Sequence, residues 1–171
     1  MSLLSRLLGT GRDPREDLRP LWHRIVEQSR QPHWYAQGHV VDSVAGRFDM
    51  IVQLTCLVIL RLEREPDMGK QVALLIELFV ADMDGQLRES GVGDLVVGKK
   101  IGHLVSVLGG RLGALRQALP QADDDALIAA LERNTTLTEG ATPAVLAGQM
   151  RDMERRLAGK PLAEVLAGDI A

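Results

Sequence analysis

Apolar residues recur every three or four positions along most of this chain, and proline, glycine or a capping residue stands where that spacing breaks. Asp13-Pro14 opens the first run, in which Leu18, Leu21, Trp22, Ile25 and Val26 share one helical face. That spacing predicts a helix over about 14–30, with Pro20 setting its first turn apart. Pro32-His33-Trp34-Tyr35 through Gly38 reads as a connecting loop. The next helix is predicted over about 43–65; between 48 and 62 it is apolar on nearly every face, as a helix surrounded by others must be. This is the expected centre of the fold.

Beyond Pro66-Asp67, Met68, Val72, Leu75, Phe79, Met83 and Leu87 form an apolar stripe opposite Lys70, Glu77, Asp84 and Arg88. Ser90-Gly91-Val92-Gly93 ends that helix, and Asp94 is placed to cap a successor over about 95–119. The successor carries Val97, Ile101, Leu104, Leu108, Leu112 and Leu115 on a core face, but also Gly98, Gly102, Gly109, Gly110 and Gly113. Each glycine costs about 0.8–1 kcal/mol relative to alanine inside a helix, so the stripe needs a compensating reason. Tight packing against an internal neighbour is the plain reading; a shallow groove for a partner helix is the sharper one, and a kink at Gly109-Gly110 the third. Asp123-Asp124-Asp125, Thr142-Pro143 and Lys160-Pro161 start three further helices, the first ending about Asn134 and the second about Leu157, predicted to cover the core rather than form it.

Composition narrows the picture. Hydrophobic residues are 46% and aromatics 3% of 171 residues, so the core is built from aliphatic side chains suited to helix packing. The expectation is an all-α, single-domain bundle of about six to seven helices with a buried central helix, residues 13–171, behind a flexible lead of residues 1–12. Residues 1–30 carry six arginines against four acids, and residues 121–171 five bases against nine acids. Neither end has the dense basic stripe that DNA binding requires. The single cysteine, Cys56, lies in the most apolar stretch and reads as an inert buried thiol. No apolar run reaches the roughly 20 residues that span a bilayer, and the opening residues lack a secretory cleavage pattern, which together predict a cytoplasmic protein. Leu3, Leu4, Leu7 and Leu8 with Arg6 and Arg12 leave room for a peripheral contact at the inner membrane.

Candidate chemistry is sparse. Gly93-Asp94-Leu95-Val96-Val97-Gly98-Lys99-Lys100 approaches a phosphate-binding loop, yet apolar residues fill the supposed turn, a helix is predicted before it, and Lys100 stands where a hydroxyl should bind magnesium. His23, His33, His39 and His103 form no paired spacing, so no metal site and no cofactor are assigned. No nucleophile elbow occurs, which leaves an enzyme unsupported. The competing reading is a helical carrier or enzyme for haem, quinone or lipid, with His33 and His39 as candidate ligands. Asp82, Asp84, Arg88, Glu89, Asp94, Lys99 and Lys100 bracket the turn between two long helices, either as a solvated corner or as a polar docking surface.

Two segments resemble the ubiquinol-cytochrome c chaperone family: Gly46-Arg47-Phe48-Asp49 and Asp82-Met83-Asp84-Gly85-Gln86-Leu87-Arg88-Glu89-Ser90-Gly91-Val92-Gly93-Asp94, followed by Lys99-Lys100. The likeness is strongest over residues 15–120. It implies a helical, non-enzymatic assembly factor that binds newly made cytochrome b for the quinol-oxidising respiratory complex, in a bacterial version without a targeting extension. It also implies, as further partners, a smaller protein or the ribosome. On that resemblance Arg47, Asp49, Asp82, Asp84, Arg88, Asp94, Lys99 and Lys100, with Gly98 and Gly102 of the glycine stripe, are the expected partner-binding residues. One departure stands out: the family favours aromatics around a Gly-Arg pair in the fourth helix, and Leu108-Gly109-Gly110-Arg111-Leu112-Gly113-Ala114-Leu115 has none.

Overall fold

The computed structural model describes residues 13–89 and 97–171, with side chains described at all of these except 86–89 and 97–100. A 3-10 turn, Glu16–Leu18, leads into α1, Arg19–Ser29, whose Pro20 sits in the first turn, where a missing N–H costs nothing. The predicted loop after it is instead a single helical turn, α2, Pro32–Ala36. Its aromatics explain the difference: Trp34 Nε1 donates to the Gln28 carbonyl and Tyr35 Oη to the Ser29 carbonyl, each at 2.7 Å. Both acceptors belong to the last turn of α1, where intrahelical donors run out.

Helix α3, Val44–Leu62, is the centre anticipated from its all-round apolarity; 14 of its 19 residues are buried. Ser43 caps it by accepting the Gly46 N–H at 3.2 Å. Around it pack α1, α4 (Gly69–Glu89), α5 (Val97–Ala118) and α7 (Ala144–Gly159), while α6 (Asp125–Asn134) lies between α5 and α7. Helix α8, Leu162–Leu166, returns to α1. Among the described residues six helices have ten or more residues, and two are five-residue turns. Among the described residues the only strand-like feature is one antiparallel bridge, Val40 to Leu137. No helix among them is long and apolar enough to cross a membrane.

The C-terminal helices do not merely cover the core; they complete it. Leu127, Leu131, Leu146, Ala147 and Met150 have no exposed surface, and Val165 and Ile170 are equally enclosed. A helix that needs to bury only one stripe carries fewer apolar residues than α3 and so reads as peripheral from sequence. Arginines also tie these helices in: Arg61, buried in α3, donates to the Leu157 and Lys160 carbonyls, both at 3.0 Å, and so caps the end of α7. Gly168, at φ +95, lies against the Pro20 carbonyl and closes the end of the chain onto its start.

The described glycines of the α5 stripe are not packed inside. Gly102, Gly109 and Gly110 are exposed, and a Cβ built on any of these, or on Gly113, would meet nothing within 4 Å. Helix α5 also runs unbroken through Gly109-Gly110. At these four glycines the internal-packing reading falls, and an open, nearly smooth helix face is left beside the exposed Val105.

Candidate docking surface

Arg15, Arg19 and His23 stand four residues apart, and Val26 and Arg30 continue the same row along one face of α1. Opposite them, Leu78, Ala81 and Asp82 of α4 form a second wall, enclosing an open groove of about 500 Å³. Trp22 makes the floor: its indole is 3% exposed and meets the Phe79 ring edge-on at 6.2 Å. A second groove of about 560 Å³ shares Arg30 and continues over Tyr35 of α2 to Asp42 and Arg47 at the start of α3.

The arginines of this surface are held in place. Arg15 grips Asp13 through Nε, at 3.0 and 3.1 Å, and through Nη2 at 2.7 Å, and with its own backbone N–H it keeps the Asp13 carboxyl down at about 2. Arg19 Nε donates to Glu16 at 2.7 Å, and Arg47 Nε to Asp42 at 2.6 Å. Such exposed pairs add little stability, but they fix where the rest of each guanidinium points. Arg30 has no carboxylate partner among the described residues. Burial, with Asp42 nearby, raises the Tyr35 phenol above its ordinary range, so it remains a neutral donor.

Of the residues anticipated from sequence, Asp82 and Arg47 line these two neighbouring grooves, and Asp84 lies half-buried on α4. Gly102 sits on the open face of α5. The side chains of Arg88, Asp94, Lys99 and Lys100, and Gly98 with them, lie outside the described residues. Asp49 turns inward. Its Oδ1 accepts from Arg111 Nη2 at 2.6 Å, and its Oδ2 accepts from the Thr136 N–H at 2.8 Å and the Thr136 hydroxyl at 2.6 Å. With side chains 8% and 12% exposed, Asp49 and Arg111 are an internal clasp between α3, α5 and the strand-like segment after α6, not a surface pair.

That clasp gives the Gly-Arg-Phe-Asp motif a physical meaning. Gly46 is required because any Cβ there would overlap the Val41 carbonyl oxygen. Phe48 lies under the Arg111 guanidinium, 5.8 Å from its ring centre, and beside Phe79 at 6.4 Å. Only Arg47 of the four is left facing solvent. Sequence reasoning missed Arg111 as the partner of Asp49 because the two are 62 residues apart. It also missed Arg15, Arg19 and Arg30, although spacings of four and eleven residues put them on a common helical face.

The histidines do not converge. His33 shares a recess of about 200 Å³ with Gln149, Asp152 and Arg156, where burial and then Arg156 hold it below its ordinary range. His39, exposed and at φ 59, accepts the Thr138 N–H on its carbonyl. Among the described residues no three His, Cys, Asp or Glu side chains are grouped as a metal ion would need.

Comparison with solved structures finds the Cbp3 homolog from Brucella abortus, 29% identical in sequence, with a TM-score of 0.79. The similarity covers 99% of this chain and 96% of that one, so the whole arrangement of helices is shared. A comparison with curated protein sequences returns no match. The family model described as Ubiquinol-cytochrome C chaperone matches residues 37–171, taking in the Gly-Arg-Phe-Asp motif, both sides of the Asp49–Arg111 clasp and the C-terminal helices that complete the core. A helical bundle with these motifs in contact, matched over most of its length, belongs to the ubiquinol-cytochrome C chaperone family.

Proposed function

We propose that this chain is a non-enzymatic chaperone that holds newly made cytochrome b while the quinol-cytochrome c oxidoreductase complex is assembled, working in the cytoplasm at the periphery of the inner membrane. Membership in the ubiquinol-cytochrome C chaperone family is the observation that carries this reading. Two surface features support it. The open face of α5, with Gly102 and exposed Val105, offers an apolar helix a close approach to backbone, and the charges that the sequence carries between α4 and α5 are proposed to add reversible polar contacts. Client holding asks for moderate affinity, which a small apolar contact rimmed by charge provides.

The test is the double charge reversal Arg88→Glu with Lys99→Glu in the native cell. Circular dichroism of the purified variant should match the wild type, while the b-type and c-type haem absorbance of the assembled complex falls several-fold. Wild-type complex levels in that strain would sink the proposal.

A further inference from the structure

Helix α5 is held to the bundle unequally along its length. From Leu108 onward it is pinned repeatedly: Cys56 Sγ donates to the Leu108 carbonyl at 3.8 Å, Arg111 reaches Asp49, and Arg116 Nη2 donates to both carboxylate oxygens of Glu63 at 2.9 and 2.7 Å. Just past its end Arg151 Nη1 donates to the Leu119 carbonyl at 2.9 Å, and Leu108, Leu115 and Ala118 are buried. Before Leu108 the picture changes. Among the described residues, 101–107 make no ion pair and no side-chain hydrogen bond, and they bury one side chain, Leu104. That stretch, Ile101-Gly102-His103-Leu104-Val105-Ser106-Val107, also favours helix weakly. Its β-branched residues lose rotamer freedom, Ser106 can bond its own backbone instead, and Gly102 loses the most backbone entropy. Glycines stand on both sides of Leu108, so propensity alone does not divide the helix; the anchors do.

We infer that residues 101–107 unwind locally about a hinge at Leu108 while the rest of α5 stays docked, a device built into the fold for enlarging the open face of the helix. A segment opens by itself when its own contacts are few, and here one buried leucine and the backbone bonds are all that must be given up. Opening brings Leu104 to the surface beside Val105. On the client reading above, on which its use rests, the loosened turns present both side chains and conform to apolar segments of different shape. Cys56 lies behind the hinge, under Leu108, so its thiol stays covered in the opened form. The motion is thereby distinct from unfolding of the whole chain.

The test is native-state hydrogen exchange of the full chain, read by NMR as urea is raised below the unfolding transition. Corrected for intrinsic rates, the amides of residues 104–108 should exchange on the order of a hundredfold faster than those of 114–117, and almost independently of urea. Those of 114–117 should show the full urea dependence of global unfolding. Two alanine variants then locate the hinge, since a Cβ at either position meets nothing within 4 Å. Gly102→Ala stabilises the helix against both local and global opening and should slow both groups about fivefold. Gly113→Ala lies behind the hinge, where the helix persists in the opened form, and should slow 114–117 by about the same factor while leaving 104–108 unchanged. A shared rate and urea dependence for the two groups overturns the inference. So does slowing of 104–108 by Gly113→Ala, or its absence in Gly102→Ala. The measurement needs no client, so its failure leaves the client reading standing, and wild-type complex levels in the Arg88→Glu, Lys99→Glu strain would leave this opening standing.

Discussion

A carboxylate and a guanidinium that meet inside a helical domain stabilise it only while both remain. Asp49→Ala would leave the Arg111 guanidinium enclosed without its counter-charge and strip two hydrogen bonds from Thr136. The expected loss is about 3–5 kcal/mol in urea-induced unfolding. Asp49→Leu combined with Arg111→Met should cost clearly less than Asp49→Ala alone, because no buried charge is orphaned. Cys56 gives a pH dependence of known sign. Burial pushes its thiol up to about 12 in the folded chain, so between about 9 and about 12 the unfolded state releases a proton that the native state keeps. That thiol therefore stabilises the fold fully below about 9 and loses its contribution as pH climbs toward about 12. The stability gap between wild type and Cys56→Ala should narrow across that window, and Ellman's reagent at pH 8 should leave the native thiol unmodified until denaturant is added.

At the scale of elements, glycine has two opposite meanings in this protein. Gly46 stands where α3 and the preceding extended segment touch backbone to backbone, so Gly46→Ala must displace the Val41 carbonyl and should lower the melting temperature markedly. Gly109 and Gly113 stand over open space in mid-helix, so Gly109→Ala with Gly113→Ala should stabilise the protein by about 1–2 kcal/mol in urea unfolding. If the α5 face holds the client, the same double variant should reduce complex assembly in the cell while being the more stable protein. Sequence reading located both groups but not the difference, because a helical pattern records which faces are apolar and not which face is left without a neighbour. The same limit separates what was legible from what was not. The all-round apolarity of α3 revealed the central helix, and prolines marked the ends of α3 and α5 and the starts of α7 and α8. The Asp49–Arg111 contact and the α1 groove arise from residues brought together across the chain, and no local spacing carries that information. The turn at α2 was hidden for a related reason: Trp34 and Tyr35 make it a helix by serving the carbonyls of α1.

For the molecule as a whole, the packing of α8 on α1 makes the last turns part of the core. Ile170 has no exposed surface, and Ile170→Ala should cost about 2–5 kcal/mol, measurable by thermal unfolding. Removing residues 160–171 takes away both Val165 and Ile170 and the Lys160 carbonyl that Arg61 holds, and such a chain should lose its cooperative transition altogether. That closure sets an order of events during synthesis. Helix α1 emerges from the ribosome early, but α8 and Gly168, which pack against it, are made only with the last turns. This protein therefore cannot attend a client while it is itself still being made, and premature termination leaves a sticky fragment instead of a weaker chaperone.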